Sequence, residues 1–249
     1  MSTLLFDLGN TRWKMASATA GSMGDVISGD YRDQRRLRAG VLDSSASIKL
    51  VLIASVADRA TTDGLIDVVR QSLPAVPVVE LSSTDPVPGL VNGYRKPEQL
   101  GVDRLLAMVA VRAQTQAPFC VVDAGTAVTI DFVASDGHHL GGCILPGLAM
   151  MRECLLANTS IPHDAEVESD VSFGRDTATA VALGGRYAVV GAVERLVAGE
   201  GALFLTSEPA VFIGGGDAEQ FVGLFARPCT KLNDLVLRGL AVVAVGRET

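Results

Sequence analysis

The amino-acid sequence predicts an α/β protein made of two similar halves, and three observations carry that expectation. First, a short apolar run delivering aspartate, glycine and a hydroxyl residue occurs twice. It appears as Leu4-Leu5-Phe6 before Asp7-Leu8-Gly9-Asn10-Thr11, and as Phe119-Cys120-Val121-Val122 before Asp123-Ala124-Gly125-Thr126-Ala127. Second, the composition is 48% hydrophobic but only 5% aromatic, which suits buried parallel strands and small-residue helix packing better than an all-β sandwich. Third, strand-like segments cluster at the start of each half and helical ones follow. The 249 residues suffice for one large domain or two of about 120 residues. The repeat favours two, residues 1–116 and 117–249, with Gln114 to Pro118 as the junction.

Taken in order, Leu4 to Phe6 is the first strand, and Arg12 to Ala18 returns beside it with Trp13 and Met15 on one face and Arg12 and Lys14 on the other. Lys49 to Ala54 is the next strand. Thr62 to Leu73 is a helix with Leu65, Ile66, Val68 and Val69 apolar and Pro74 beyond its end, and Val76 to Leu81 is a further strand. Asp85-Pro86-Val87-Pro88-Gly89 reads as a rigid loop, after which Gly101 introduces a helix running through Val111. In the second half, Phe119 to Val122 and Val128 to Val133 repeat the hairpin, Gly141 to Leu145 is a third strand, and Pro146 opens a helix over Leu148 to Ala157. Thr177 to Ala198 is a long helix interrupted by Gly184-Gly185 and Gly191. Ala210 to Ile213 is a strand emptying into Gly214-Gly215-Gly216-Asp217, and Lys231 to Val245 is the closing helix.

The repeated hairpin suits phosphate chemistry. A carboxylate at a strand end can hold a divalent cation or its water, and glycine lets backbone N–H groups approach phosphate oxygens with no Cβ in the way. Thr11 and Thr126 add hydroxyl donors. Many strands end in Asp-x-Gly only to turn, so two structural turns are the alternative. The duplication favours a cleft with Asp7 and Gly9 on one side and Asp123 and Gly125 on the other. The triple glycine at Gly214 offers a third phosphate or nucleoside surface, although it matches neither the P-loop nor the dinucleotide fingerprint. Gly101-Val102-Asp103-Arg104 is the most reactive string: Asp103 is placed to receive a hydroxyl proton, and Arg104 to anchor an anionic group. A helix-terminal carboxylate beside a surface arginine fits the same spacing, and spacing alone does not choose.

Several classes are disfavoured. A net charge of −7 argues against nonspecific nucleic-acid binding, and the cluster Arg32, Arg35, Arg36 and Arg38 is interleaved with Asp30 and Asp33 as on a solvated face. Cys120, Cys143, Cys154 and Cys229 have no metal or redox spacing. Cys120 and Cys154 lie in apolar patterns and are expected as buried, reduced thiols of a cytoplasmic protein. His138, His139 and His163 lack ligand spacing. No signal-type segment opens the chain, and Leu235 to Val245 is too short to span a bilayer, so no membrane partner is expected.

Together these motifs resemble the type III pantothenate kinases, the CoaX type, whose relatives include the Bvg accessory factor proteins. The likeness runs almost end to end and in order. It covers Asp7 to Thr11, Gly93-Tyr94 ahead of Gly101 to Arg104, Asp123 to Asp131, Gly141 to Gly147, Phe173 to Gly184, and Ile213 to Ala218. The resemblance implies two ribonuclease-H-like domains of the acetate and sugar kinase/Hsc70/actin fold with ATP in the cleft. It implies transfer of the ATP γ-phosphate to pantothenate, giving 4'-phosphopantothenate in the first step of coenzyme A synthesis. By the same likeness Asp103 is the general base, and Tyr94, Gly101, Val102, Arg104 and Thr177 line the pantothenate pocket, Thr177 across a homodimer interface. Asp7, Gly9, Asn10, Thr11 and Thr126 meet the ATP phosphates. Asp7 holds Mg²⁺ directly or through water, and Asp123 is the ligand of a monovalent cation, K⁺ or ammonium. Two rivals stay open at this stage. One is another phosphotransferase of the same fold, against which the acceptor-side residues speak; the other is a noncatalytic nucleotide-binding regulator, against which the intact Asp103 speaks.

Overall fold

The computed structural model describes residues 2–20, 22–161, 171–200 and 207–247. The chain first forms β1 (Ser2–Leu8), β2 (Trp13–Thr19), β3 (Ser22–Met23), β4 (Ile27–Gly29), α1 (Gln34–Ser44), β5 (Ile48–Ser55), α2 (Arg59–Ser72), β6 (Val78–Leu81) and α3 (Val102–Arg112). It continues through β7 (Phe119–Ala124), β8 (Ala127–Val133), β9 (His139–Pro146), α4 (Leu148–Asn158), α5 (Thr177–Arg195), β10 (Ala210–Gly214), β11 (Cys229–Lys231) and α6 (Leu235–Gly246). Two compact units result. One comprises Met1–Gln116, Asp136–His139 and Asp234–Thr249; the other comprises Ala117–Ser135 and Leu140–Asn233.

The described strands of each unit follow one plan. Sheet order is β3-β2-β1-β5-β6 in the first unit, with β4 also on β2, and β9-β8-β7-β10-β11 in the second. In both, the central strand pairs antiparallel with the strand that follows it and parallel with a later one. Leu4, Leu5, Phe6 and Leu8 are fully buried, as are Phe119, Cys120 and Val122. Such unbroken apolar runs are what a strand covered on both faces requires. Register then fixes the neighbours of the two carboxylates. Asp7 faces Ala54 on its parallel side, and Asp123 faces Gly214, so each has a side chain of one methyl or none beside it.

In the first unit, Leu4, Phe6, Leu8, Trp13 and Met15 pack with Leu37 and Val41 of α1 and Leu65, Ile66 and Val69 of α2. In the second, Cys120, Val122, Val128 and Ile130 pack with Val189, Val190 and Val193 of α5 and with Phe221.

Several elements depart from the sequence expectation. The closing helix begins at Leu235, because Lys231 ends β11, and it belongs to the first unit rather than to a second domain of residues 117–249. It is apolar around most of its circumference and lies against α3, where a Cβ on Gly239 would sit 2.1 Å from the Leu106 carbonyl oxygen. Pro146 ends β9, and Gly147 takes the helix-capping position instead. Gly184, Gly185 and Gly191 do not interrupt α5. Cys154 is exposed rather than buried, since α4 turns Leu148 and Met151 to the core and leaves Met150, Cys154 and Leu155 outside. His163 lies outside the described residues.

Helical glycines usually weaken a helix, so two substitutions should act in opposite senses. Gly64→Ala in α2, where a Cβ meets nothing within 4 Å, is expected to stabilise by about 0.5–1 kcal/mol. Gly239→Ala is expected to destabilise by about 1–3 kcal/mol through overpacking on α3. Urea unfolding of both variants measures this; a stabilised Gly239→Ala would contradict the close packing.

Candidate active site

In the first unit, β1 carries Asp7 to the point where its partner strand turns back. The turn closes by donation from the Gly9 N–H to the Arg12 carbonyl at 3.2 Å, leaving Asn10 and Thr11 exposed at its tip. Tyr31 braces it, its hydroxyl donating to the Gly9 carbonyl at 2.6 Å. Burial, then the Asp7 and Asp58 carboxylates, push the Tyr31 phenol well above its ordinary range, so it stays a protonated donor. Lys14 lies opposite Asp7 in the hairpin register. Its Nζ donates to Asp234 Oδ1 at 2.8 Å in a largely shielded ion pair. Asp234 has a left-handed backbone, φ 53°, a conformation aspartate tolerates better than most residues. The pair ties the start of α6 to the strand behind Asp7.

The second unit repeats the hairpin with a denser setting. Gly125 N–H donates to the Ala127 carbonyl at 3.0 Å, and Gly147 N–H, at the start of α4, donates to the Thr126 carbonyl at 3.0 Å. A Cβ on Gly147 would lie 2.2 Å from the Gly125 carbonyl oxygen. Gly215, at φ +90°, approaches Ala124 so closely that a Cβ would lie 2.2 Å from its carbonyl oxygen, and Asp217 N–H donates to the same oxygen at 2.9 Å. Hairpin, helix N-terminus and glycine loop therefore converge around Ala124 to Thr126, next to Asp123. Backbone surfaces of this kind, with a helix N-terminus at hand, suit an oxyanion ligand. Gly147 thus packs on the hairpin.

The acceptor string forms a third cluster, in the first unit. Gly101 occupies the capping position of α3 without a side chain of its own, and a Cβ there would lie 2.4 Å from Asp103 Oδ1. The Asp103 carboxylate accepts from the Arg104 N–H at 2.8 Å. Arg104 is only 5% exposed, which excludes the surface-arginine alternative. Its Nη1 donates to the Tyr94 hydroxyl at 2.6 Å, and its guanidinium carbon stands 5.4 Å from the Tyr94 ring centroid. Tyr94 N–H donates to Asn92 Oδ1 at 3.0 Å, and Asn92 reaches back to the Ser83 and Pro97 carbonyls. Val102 is buried beside them. Tyr94, Gly101, Val102, Asp103 and Arg104 thus come together.

His139 belongs to this cluster although nothing in the sequence marked it. Its ring is 3% exposed and stacks on Tyr94 at 5.7 Å between centroids.

Thr177 belongs to the second unit, exposed at the first turn of α5. Asp176 caps that helix, accepting from Thr179 N–H and Oγ1 at 2.8 and 2.7 Å, bonds that hold its carboxyl below the usual range. Thr177 lines an apolar groove of about 720 Å³ with Met150, Met151, Leu155 and Val181. Among the described residues, no three His, Cys, Asp or Glu side chains gather to hold a metal by themselves, and no helix is long and apolar enough to cross a membrane.

Residues 3–199 match the family model of type III pantothenate kinase. The chain belongs to the type III pantothenate kinase family. A type III pantothenate kinase of Nitrosococcus oceani is 34% identical over 259 residues, covering 99% of this chain and 97% of the relative. A conserved Baf-family protein of Campylobacter jejuni superposes with a TM-score of 0.62 at 20% identity, covering 99% of this chain and all of that one. The activator of 2-hydroxyisocaproyl-CoA dehydratase from Clostridium difficile, solved with bound ADPNP, superposes at 0.56 with 13% identity, over 99% and 94% of the two chains. The fold of this pantothenate kinase family member is accordingly that of the acetate and sugar kinase/Hsc70/actin class.

The phenol of Tyr94 is a partner of a buried cation, so removing it should be felt. Tyr94→Phe is expected to destabilise the protein by about 1–3 kcal/mol; an unchanged urea midpoint would contradict the bond.

Proposed function

We propose that the chain transfers the γ-phosphate of ATP to the primary hydroxyl of pantothenate, giving 4'-phosphopantothenate and opening coenzyme A synthesis, as a cytoplasmic enzyme. The observation that carries this reading is the buried Arg104, held on Tyr94 with the Asp103 carboxylate one residue away. A kinase acting on a hydroxy acid needs both parts: a fixed cation for the substrate carboxylate and a carboxylate to take the hydroxyl proton.

In this reading Asp103 is the general base and Arg104 receives the pantothenate carboxylate, its planar fork already oriented by Tyr94. Gly101 and Val102 shape the floor of that pocket. Asp7, Gly9, Asn10, Thr11 and Thr126 meet the ATP phosphates, with exposed hydroxyls and backbone N–H groups as donors. A half-buried carboxylate such as Asp7 fits Mg²⁺, which keeps several waters and takes substrate phosphate oxygens as ligands. Asp7 would hold it directly or through water, and the ion would supply neutralisation of phosphate charge. Asp123, beside carbonyl-rich turns, would hold a monovalent cation, K⁺ or ammonium.

A homodimer accompanies this proposal. Ile144, Met150, Leu155 and Phe173 are large apolar side chains left in the open, Phe173 at 84% exposure, and Met150 and Leu155 line the same groove as Thr177. Patches of this kind mark association surfaces, and a second copy there would bring Thr177 to the partner's pantothenate pocket.

The test is ADP release by purified protein with ATP, Mg²⁺ and potassium or ammonium, with and without pantothenate, with the product weighed by mass spectrometry. Pantothenate-dependent release and a product heavier by one phosphoryl group are expected; ATP turnover indifferent to pantothenate would overturn the proposal. Asp103→Asn should lower kcat by roughly 10²–10⁴-fold with little change in nucleotide affinity. Near-normal turnover would remove Asp103 from the role of base.

A further inference from the structure

The turn Asp136–His139 belongs to the first unit, although the residues before and after it belong to the second. Backbone hydrogen bonds fasten it there. The Val91 N–H donates to the Gly137 carbonyl and the His139 N–H to the Val91 carbonyl, both at 3.0 Å. Gly137, at φ +90°, lies so close to Gly89 that a Cβ would approach its carbonyl oxygen to 2.4 Å, and a Cβ on Gly93 would meet the His139 carbonyl oxygen at 1.7 Å. Two glycines thus let the turn seat directly on the loop that carries Tyr94. At its end the His139 ring, 3% exposed, lies nearly parallel to the Tyr94 ring, 15° between planes. The opposite partner of Tyr94 is Arg104, reached through both its hydroxyl and its ring.

We propose that His139 is a positioning residue for the acceptor pocket: its ring fixes the plane of Tyr94, and Tyr94 in turn fixes the Arg104 guanidinium. The residue acts through ring stacking and takes no part in proton transfer. The Asn92 bond fixes the Tyr94 backbone and the Arg104 bond its hydroxyl, which leaves the rotation of the ring plane about the axis from Cβ to that hydroxyl to be set by packing. The stacked imidazole supplies that packing. Loss of the stack leaves Asp103 and the phosphate loops in place and loosens the carboxylate anchor alone, so the effect falls on pantothenate recognition.

This inference rests on the pantothenate reading above. Wild-type protein without pantothenate-dependent turnover would defeat that reading first, before any variant is compared. With wild-type turnover in hand, His139→Ala is expected to raise KM for pantothenate about 3–10-fold, the size of one aromatic stack, with kcat and KM for ATP within about 2-fold. His139→Phe keeps a ring and should return KM for pantothenate to near the wild-type value. Where His139→Ala fails to fold, His139→Gln, which fills the space without a ring, takes its place with the same expectation. A Tyr94→Ala background should abolish the effect of the His139 change, because the two act in one relay. An unchanged KM for pantothenate in the ringless variants would overturn the proposal. So would a His139→Phe enzyme as impaired as the ringless ones, which would make the imidazole nitrogens rather than the stack the operative feature.

Discussion

A carboxylate at the end of a strand buried on both faces is the constraint on which the rest of this structure depends. Burial of β1 and β7 makes their register unforgiving, since a slip of one residue would turn every side chain to the opposite face. Fixed register places Asp7 and Asp123 at the last turns of the sheets, each with only alanine or glycine as its parallel neighbour. Space beside the carboxylate is therefore a product of the strand pairing, not of a flexible loop. The hairpin turns beyond are small and braced, by Tyr31 in one unit and by Gly147 and Gly215 in the other. Glycine is needed at those approaches because a Cβ would strike a carbonyl oxygen of the neighbouring segment.

The acceptor cluster follows different physics. A buried guanidinium is costly unless it is hydrogen-bonded and paired, and Arg104 meets that demand with the Tyr94 hydroxyl and ring. The same bonds aim it. Gly101 leaves room for the Asp103 carboxylate to fold back onto the first turn of α3, where it accepts from the Arg104 N–H. A cation and a carboxylate are thereby presented from one rigid helix end, a better support for a site than a loop.

The local grammar of both sheets was legible in the sequence, because a continuous apolar run ending in Asp-x-Gly carries its own conformational meaning. The reactive reading of Gly101 to Arg104 was legible only as one of two alternatives, and the burial of Arg104 decided between them. Long-range partners were not legible. Lys14 and Asp234 are 220 residues apart, and periodicity carries no information about such a pairing. The closing helix is apolar nearly all round, a pattern that fits burial in either unit, and its packing on α3 and on the first sheet assigns it to the first. Cys154 of α4 looks like core in the sequence and stands on the surface in the fold with Met150 and Leu155, because an apolar pattern does not say which residues are covered. His139 carried no signal at all, since a stacked ring and a turn histidine read alike.

The most direct measurement is the structure of the protein crystallised with pantothenate and a non-hydrolysable ATP analogue. The account predicts the pantothenate carboxylate on the Arg104 guanidinium, and the primary hydroxyl within about 2.6–3.2 Å of an Asp103 carboxylate oxygen. Pantothenate bound away from Tyr94 and Arg104, or a hydroxyl that Asp103 does not reach, would contradict it.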